Sequence, residues 1–230
     1  MVVKNALPRI KSGIKGLDEI IEGGFPFPST ILLAGYAGSG KTTFVTQFLN
    51  EGAKHKEQGL FFTTLSEPTQ WMLRFMSSLE SINPDFFGNE IKFIELGPVL
   101  RHAVDYNQIL EVIDDHIAQI MPQRVVIDPI TVLEGMVEGS YRQFQYELSC
   151  RLKNWQATSI LTGEVVAGQQ YPSEIAYTAD AVLILSHELV DGQRKRYLEV
   201  MKMRGTKHAT NRFPVTIGEN GLVVESVGFI

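Results

Sequence analysis

The stretch "TILLAGYAGSGKTT" (residues 30–43) joins an apolar run to a glycine-rich segment and then to a helical pattern. Gly35, Gly40, Lys41 and Thr42 satisfy the spacing G-x-x-x-x-G-K-[ST], with the strand before it and the helix after it that this pattern requires. Glycines let consecutive backbone N–H groups turn towards a phosphate, and the start of the helix adds unpaired donors and the positive end of its dipole. The stretch therefore predicts a phosphate-binding loop for a nucleotide.

The ligand predicted for this loop is Mg-ATP. Lys41 supplies a positive charge for the outer phosphates, and the hydroxyl of Thr42 is a ligand for Mg²⁺. Asp128 follows the apolar residues of "RVVIDPIT" (124–131), where the end of a neighbouring strand would place a second metal-side carboxylate. The predicted metal ligands are thus Thr42 and Asp128. Around them, the loop residues expected to contact the nucleotide are Gly35, Ala37, Gly38, Ser39, Gly40, Lys41, Thr42 and Thr43.

A third polar position follows the apolar run "LFFTTL" (60–65), where Ser66 and Glu67 stand before a helical pattern. A carboxylate at this strand end could orient and polarise an attacking water, which makes Glu67 a candidate catalytic base. The same side chain could instead cap the helix that begins near Pro68. The residues alone leave both roles open.

Strand and helix patterns alternate along most of the chain, which predicts an α/β fold with a mainly parallel central sheet flanked by helices. The continuous apolar runs 30–35, 60–65, 91–96, 124–128, 158–163 and 181–186 indicate strands that are buried on both faces. After residue 187, segments 196–205, 212–218 and 222–227 alternate with tight turns, which is typical of antiparallel strands. We expect one domain over residues 1–230.

Composition and charge exclude several classes of protein. The 230 residues carry a net charge of −5, which argues against a surface that coats nucleic acid or acidic membrane. A lone cysteine, Cys150, excludes an intrachain disulfide framework and is expected to be buried. No signal peptide and no apolar run of about 18 residues is present, so we expect a cytoplasmic protein. Trp71, Met72, Phe75 and Met76 have helical spacing that indicates a buried helix face.

Three segments together with the glycine-rich loop resemble the KaiC-like branch of the RecA/RadA P-loop ATPase superfamily. They are "SGIKGLDEIIEGGFP" (12–26), "RVVIDPITVL" (124–133) and "YLEVMKMRGTKHATNRFPVTI" (197–217). The resemblance covers nearly the whole chain and implies a RecA-type fold in ring hexamers, with ATP held between subunits. It also implies that Lys202 and Arg204 reach the γ-phosphate bound by the adjacent chain, with His208 nearby. Alternation in "VMKMRG" (200–205) would place both cations on one strand face.

The sequence departs from that family where its members usually carry an acidic pair, because the first acid is replaced by Ser66. Hydrolysis is then expected to be slow or to depend on Glu67, because a hydroxyl accepts a proton poorly near neutral pH. Two hypotheses about the function therefore remain open. One is a slow ATPase ring coupled to an unidentified regulatory or signalling protein. The other is an assembly scaffold that binds ATP without hydrolysing it.

A third hypothesis is that the chain is a RadA-like recombination or repair protein that binds single-stranded DNA. Such a protein needs cationic loops after the strands that end near residues 128 and 163, yet segments 134–143 and 164–174 contain a single cation, Arg142. This disfavours nucleic acid as a partner. Nucleic acid as a partner is favoured by one feature, a cluster of seven cations within nineteen residues: Arg194, Lys195, Arg196, Lys202, Arg204, Lys207 and Arg212.

Overall fold

The computed structural model describes residues 7–64, 69–102, 105–135, 141–166, 168–169 and 171–226. Its strands are β1 (Arg9–Ile10), β2 (Phe25–Pro26), β3 (Thr30–Gly35), β4 (Gly59–Thr63), β5 (Ile91–Glu95), β6 (Arg124–Asp128), β7 (Thr158–Glu164), β8 (Ala181–Val190), β9 (Gln193–Met203), β10 (Arg212–Gly218) and β11 (Gly221–Val224). The helices are α1 (Leu17–Ile20), α2 (Lys41–Lys54), α3 (Thr69–Met76), α4 (Gly97–His102), α5 (Tyr106–Ile120), α6 (Tyr141–Asn154) and α7 (Ser173–Thr178). Short 3₁₀ helices span Pro84–Phe86 and Ile130–Gly135.

Nine strands form the central sheet in the order β11-β10-β9-β8-β3-β7-β6-β4-β5. The pairs from β8 through β3, β7, β6 and β4 to β5 are parallel. The pairs β8–β9, β9–β10 and β10–β11 are antiparallel. The predicted α/β architecture with antiparallel C-terminal strands is confirmed. Because the parallel strands share a direction, their carboxyl ends meet at one edge of the sheet.

Apolar cores cover both faces of the sheet, as the continuous apolar runs predict. On β3, the side chains of Ile31 and Leu33 join the core beneath α2, and those of Leu32 and Ala34 join the core beneath α5 and α6. Every residue of β3 is buried. Strand β5 differs because it lies at the edge of the sheet, where only Ile91 is buried.

Two expectations about burial are wrong. No residue of α3 is buried, and Trp71 and Phe75 are 51% and 60% exposed; Met72 is only partly buried where it packs against the core beneath α2. Cys150 is also exposed. Helix α6 turns its apolar residues Phe144 and Leu148 towards the core, and Cys150 lies two positions further, on the opposite side of the helix.

The start of β6 is held by Arg124, the largest fully buried side chain among the described residues. Its guanidinium donates to Glu57 at 2.6 Å and to the carbonyl oxygens of Lys11 and Phe48 at 2.8 and 2.7 Å. It also stacks on the Phe48 ring at 4.5 Å. This one side chain therefore ties β6 to α2 and to the N-terminal segment.

Among the described helices, none is long and apolar enough to cross a membrane.

Candidate functional site

The loop between β3 and α2 has the backbone conformation of a phosphate cradle. Gly38 and Gly40 have φ angles of +74° and +107°, which side chains other than glycine rarely adopt. The Ser39 amide donates to the Tyr36 carbonyl at 3.2 Å, which closes the turn. Helix α2 begins at Lys41, and no described side chain caps its first turn. The free N–H groups of that turn can therefore bind an anion at the loop.

Lys41 folds its side chain back into this loop. Its Nζ donates to the carbonyl oxygens of Gly35 and Tyr36 at 2.8 and 3.1 Å. Burial lowers the pKa of Lys41, and the carboxylates of Glu164 and Asp128 partly offset that change. The Lys41 ammonium group is thus held beside the loop in which a phosphate would bind.

Asp128 lies at the carboxyl end of β6, beside the first turn of α2. The Thr42 hydroxyl donates to Asp128 Oδ2 at 2.9 Å, and the Thr162 hydroxyl donates to Oδ1. Burial raises the pKa of Asp128, while these two hydroxyl donors and Lys41 act to lower it. The structure thus brings together the two predicted metal ligands, Thr42 and Asp128, at hydrogen-bonding distance.

The residues present fit magnesium and a phosphate chain. A hydroxyl and a carboxylate are oxygen ligands, the kind that Mg²⁺ prefers. Ser39 is 1% exposed and its hydroxyl has no hydrogen-bond partner among the described residues. Such an unpaired buried group is costly unless a ligand pairs with it. Of the other predicted contacts, Ala37 is exposed in the loop and Thr43 is half-buried in the first turn of α2.

The candidate base Glu67 and its neighbour Ser66 lie outside the described residues. Thr64, just before them, donates its amide to the Asp128 carbonyl at 3.1 Å and its hydroxyl to the Pro129 carbonyl at 2.7 Å. The end of β4 is therefore fastened directly beside the predicted metal ligands.

The loop 35–43 follows the carboxyl end of β3, whereas the predicted cations lie near the amino end of that strand: Lys202, Arg204 and His208. Arg204 donates its amide to the Asp180 carbonyl at 3.0 Å, and Asp180 in turn donates to the carbonyl of Thr30, the first residue of β3. Gly35 is five residues further along β3, which is roughly 16 Å at about 3.3 Å per residue. These cations therefore cannot reach the phosphate-binding loop of their own chain.

The two cations are held by the segment before β8. Lys202 donates to the carbonyl oxygens of Ala176 and Ala179 at 3.2 and 2.6 Å, and Arg204 pairs with Asp180 at 3.1 Å. Burial lowers the pKa of Lys202, and the nearby positive charge of Arg204 lowers it further. The expectation that both cations lie on one face of a strand is wrong, because β9 ends at Met203 and Arg204 lies in the following turn.

Sequence patterns missed two residues near the site. Thr162, which donates to Asp128, is one. The other is Arg196, whose Nε donates to the Gly38 carbonyl at 3.4 Å and brings a positive charge to the loop. Neither belongs to a local motif, so only the register of β6 with β7 and of β8 with β9 could reveal them.

The cluster of seven cations does not form one patch. Arg196 lies beside the loop 35–43, whereas Lys202 and Arg204 lie at the other end of β9. Arg212 pairs with Glu188 and Glu199 at 3.1 and 3.2 Å. A continuous cationic track along these strands is therefore not formed.

A cavity of about 470 Å³ lies beyond the carboxyl ends of β6 and β7 and is acidic. The carboxylates of Glu134, Glu164 and Glu174 line it. Burial raises the pKa of Tyr141, which also lines the cavity, to about 12. The charge here is opposite to that of a site for a nucleic-acid backbone.

Comparisons with known proteins agree with this geometry. A family model described as "ATPase: KaiC" matches residues 10–227. The chain is 32% identical to the UPF0273 protein PH0284 of Pyrococcus horikoshii, over 94% of this chain and 93% of that protein. It is 29% identical to the circadian clock oscillator protein KaiC of Prochlorococcus marinus, over 98% of this chain and 47% of that protein. The crystal structure of the KaiC-like protein PH0186 of Pyrococcus horikoshii superposes with a TM-score of 0.83 at 33% identity, covering 95% of this chain and 99% of that chain.

Proposed function

The chain belongs to the KaiC ATPase family, and we propose that it is a Mg-ATPase whose sites are completed between subunits of a ring, a hexamer by analogy with the family. One observation carries the proposal. Lys202 and Arg204 are fixed about one strand length from the phosphate-binding loop of their own chain. Cations in that position can act on ATP only if a neighbouring subunit presents its own loop to them.

Within one subunit, the loop 35–43 and the first turn of α2 would hold the phosphates. Lys41 would pair with the outer phosphates, and Thr42 with Asp128 would hold the metal. Bound Mg²⁺ would neutralise charge on the β- and γ-phosphates. Thr162 would keep the Asp128 carboxylate oriented towards that position.

Hydrolysis needs a group that accepts a proton from the attacking water, and Glu67 is the proposed base. Water would form a bond to the γ-phosphorus, the bond to the β-phosphate oxygen would break, and Glu67 would take the proton. Lys202 and Arg204 of the neighbour would stabilise the charge that develops on the γ-phosphate, with His208 close by. Because Ser66 replaces the first acid of the family's pair, we expect slow turnover.

The nucleotide state of such a ring would be read by a protein partner rather than by DNA. The cavity beside the ends of β6 and β7 is lined by three carboxylates, which oppose a phosphate backbone. The seven cations of residues 194–212 are also spread over β9, the loop after it and β10, and Arg212 is paired with carboxylates. We therefore favour a regulatory or signalling role in the cytoplasm, where ATP is available.

The proposal is tested by phosphate release from Mg-ATP across a range of protein concentrations, with Lys41→Ala as the blank. Specific activity should rise with concentration, because assembly completes the sites, and should vanish in the blank. ATP binding without release above the blank would refute hydrolysis and favour the non-hydrolysing scaffold. Activity that is independent of concentration, in a protein shown by sedimentation to stay monomeric, would refute the shared site.

Mixing two inactive variants tests the shared site directly. Lys41→Ala lacks a working loop and Arg204→Ala lacks the cation for its neighbour, so each alone should be inactive. In mixed rings with head-to-tail interfaces, about a quarter of the sites combine an intact loop with an intact Arg204 and should recover activity. Failure to recover any activity, with mixed rings verified, would contradict sharing.

A further inference from the structure

The N-terminal segment 8–26 contacts the loop that carries Arg204 and His208, which we define as residues 204–209. Arg9 makes the central contacts of this segment. Its guanidinium donates to the carbonyl oxygens of Ile21 and Gly24 at 3.0 and 2.8 Å, to Glu22 Oε2 at 2.9 Å and to the Thr206 hydroxyl at 3.1 Å. The Arg9 side chain is 18% exposed, and its bonds to Ile21, Gly24 and Thr206 are partly buried, whereas its bond to Glu22 is exposed. Arg9 therefore binds both the segment and the loop.

Glu22 provides a second link between the same two parts. Its Oε2 accepts from Arg9 and also from the backbone amide of Lys207 at 3.2 Å. Glu22 has a φ of +57°, an unusual value for a residue other than glycine. Two residues earlier, the carbonyl of Ile20 accepts from the amide of Ala209 at 3.0 Å. Three residues of the loop, Thr206, Lys207 and Ala209, are thus bonded to residues 9–22.

The other side of the loop is held by Asp180, which pairs with the Arg204 side chain and accepts its amide. Asp180 fixes only the residue at the start of the loop. The stretch from Thr206 to Ala209, which includes His208, lies beyond the end of β9 and outside the sheet. Its contacts with the N-terminal segment therefore limit the conformations that the loop can adopt.

We propose that Arg9 and Glu22 are positioning residues, which hold the loop 204–209 in place to act on the ATP of the neighbouring subunit. This inference rests on the proposed shared site. A group that stabilises developing charge acts best when it is already in position, because reorganising it during the reaction raises the barrier. Arg9 and Glu22 do not touch the phosphate-binding loop of their own chain, so their effect belongs to the site of the neighbour.

The first test compares Arg9→Gln, Glu22→Gln and Arg9→Lys with a control in the same segment, Lys11→Gln. The Lys11 side chain is 60% exposed and pairs with Asp18 at 3.6 Å. We expect Arg9→Gln to lower kcat roughly 10- to 100-fold, the scale of a small misplacement of reacting groups, with ATP binding to its own loop unchanged. Arg9→Lys should recover part of the rate, and Lys11→Gln should match the wild type.

The second test mixes Arg9→Gln with each of two partners in verified rings. With Lys41→Ala, activity should recover, because Lys41→Ala supplies an intact loop 204–209 to the phosphate-binding loop of Arg9→Gln. With Arg204→Ala, activity should stay low, because both subunits are deficient in the same loop. Melting temperatures of the single variants check that each is folded.

Each outcome decides the question. Recovery with Arg204→Ala, or no recovery with Lys41→Ala, would overturn the inference, provided that the reference pair of Lys41→Ala with Arg204→Ala recovers activity. A reference pair that fails would overturn the shared site itself and this inference with it. A loss of ATP affinity in Arg9→Gln that equals its loss of rate would place Arg9 in nucleotide binding and would also refute a positioning role.

Discussion

Replacing Thr162 by valine should weaken magnesium-dependent ATP binding, because it removes one of the two hydroxyl groups that hold Asp128. Thr162 donates to Asp128 Oδ1, and Thr42 donates to Oδ2 at 2.9 Å. Thr162 is 0% exposed, and valine has nearly its shape, so the substitution opens no cavity. The change is therefore confined to a single hydrogen bond to a carboxylate.

The size of the effect follows from the strength of that bond. A hydrogen bond to a charged group contributes about 1.5–3 kcal/mol. Since about 1.4 kcal/mol corresponds to a tenfold change in an equilibrium constant, the expected loss is roughly 10- to 100-fold. Removing groups that orient metal ligands costs a similar factor, about 10- to 100-fold. The Mg²⁺ concentration that half-saturates ATP binding should rise by this factor.

The assay is a Mg²⁺ titration of the binding of a fluorescent ATP analogue, which does not depend on turnover. Thr158→Val is the matched control. Thr158 lies on β7 four residues before Thr162, is equally buried, and its hydroxyl has no partner in the described part of the chain. The control should bind as the wild type does. A Thr162→Val titration that superimposes on the wild type would refute the reasoning, and an equal shift in both variants would assign the effect to strand packing.

Three further predictions concern stability and the loop. Arg124→Ala leaves two carbonyl oxygens and the partly exposed carboxylate of Glu57 without their donor, so we expect a loss of about 2–5 kcal/mol in urea unfolding. Arg142→Ala, whose side chain is 87% exposed, should cost less than about 0.5 kcal/mol, and equal losses would show that the Arg124 contacts are not stabilising. Hydrogen bonds from Thr69, the first residue of α3, lower the pKa of Glu95, so the stabilisation of that helix is present above pH 4.5 and lost as the pH falls through the lowered pKa. Hydrogen exchange in α3 should show this loss in the wild type, and a Glu95→Gln variant with the same pH dependence would contradict the prediction. Gly40→Ala should abolish binding of the fluorescent ATP analogue without unfolding the protein, because φ is +107° at this position and the new Cβ would lie 2.6 Å from the Ile217 side chain. Unchanged affinity would show that this loop conformation is not needed for ATP binding.

The family relationship, the RecA-type fold and the direction of most strands could be predicted from the sequence, because they rest on local patterns. A glycine-rich turn between an apolar run and a helix constrains φ and ψ within a few residues, so the loop 35–43 and its helix are predicted correctly. Continuous apolar runs report burial on both faces, as β3 shows. The pairing of Thr42 with Asp128 also follows, since parallel strands end at the same edge.

Three results depended on tertiary structure, because they involve residues that are far apart in the chain. Lys202 and Arg204 lie away from their own loop because the register of β9 with β8 puts them near the start of β3, and the local sequence does not encode this register. Arg9 and Thr206 are separated by 197 positions, and no periodicity links them. The exposure of Trp71 reflects where α3 packs, which its helical spacing leaves open. Local patterns fix which elements form, whereas strand order, direction and register decide which side chains meet.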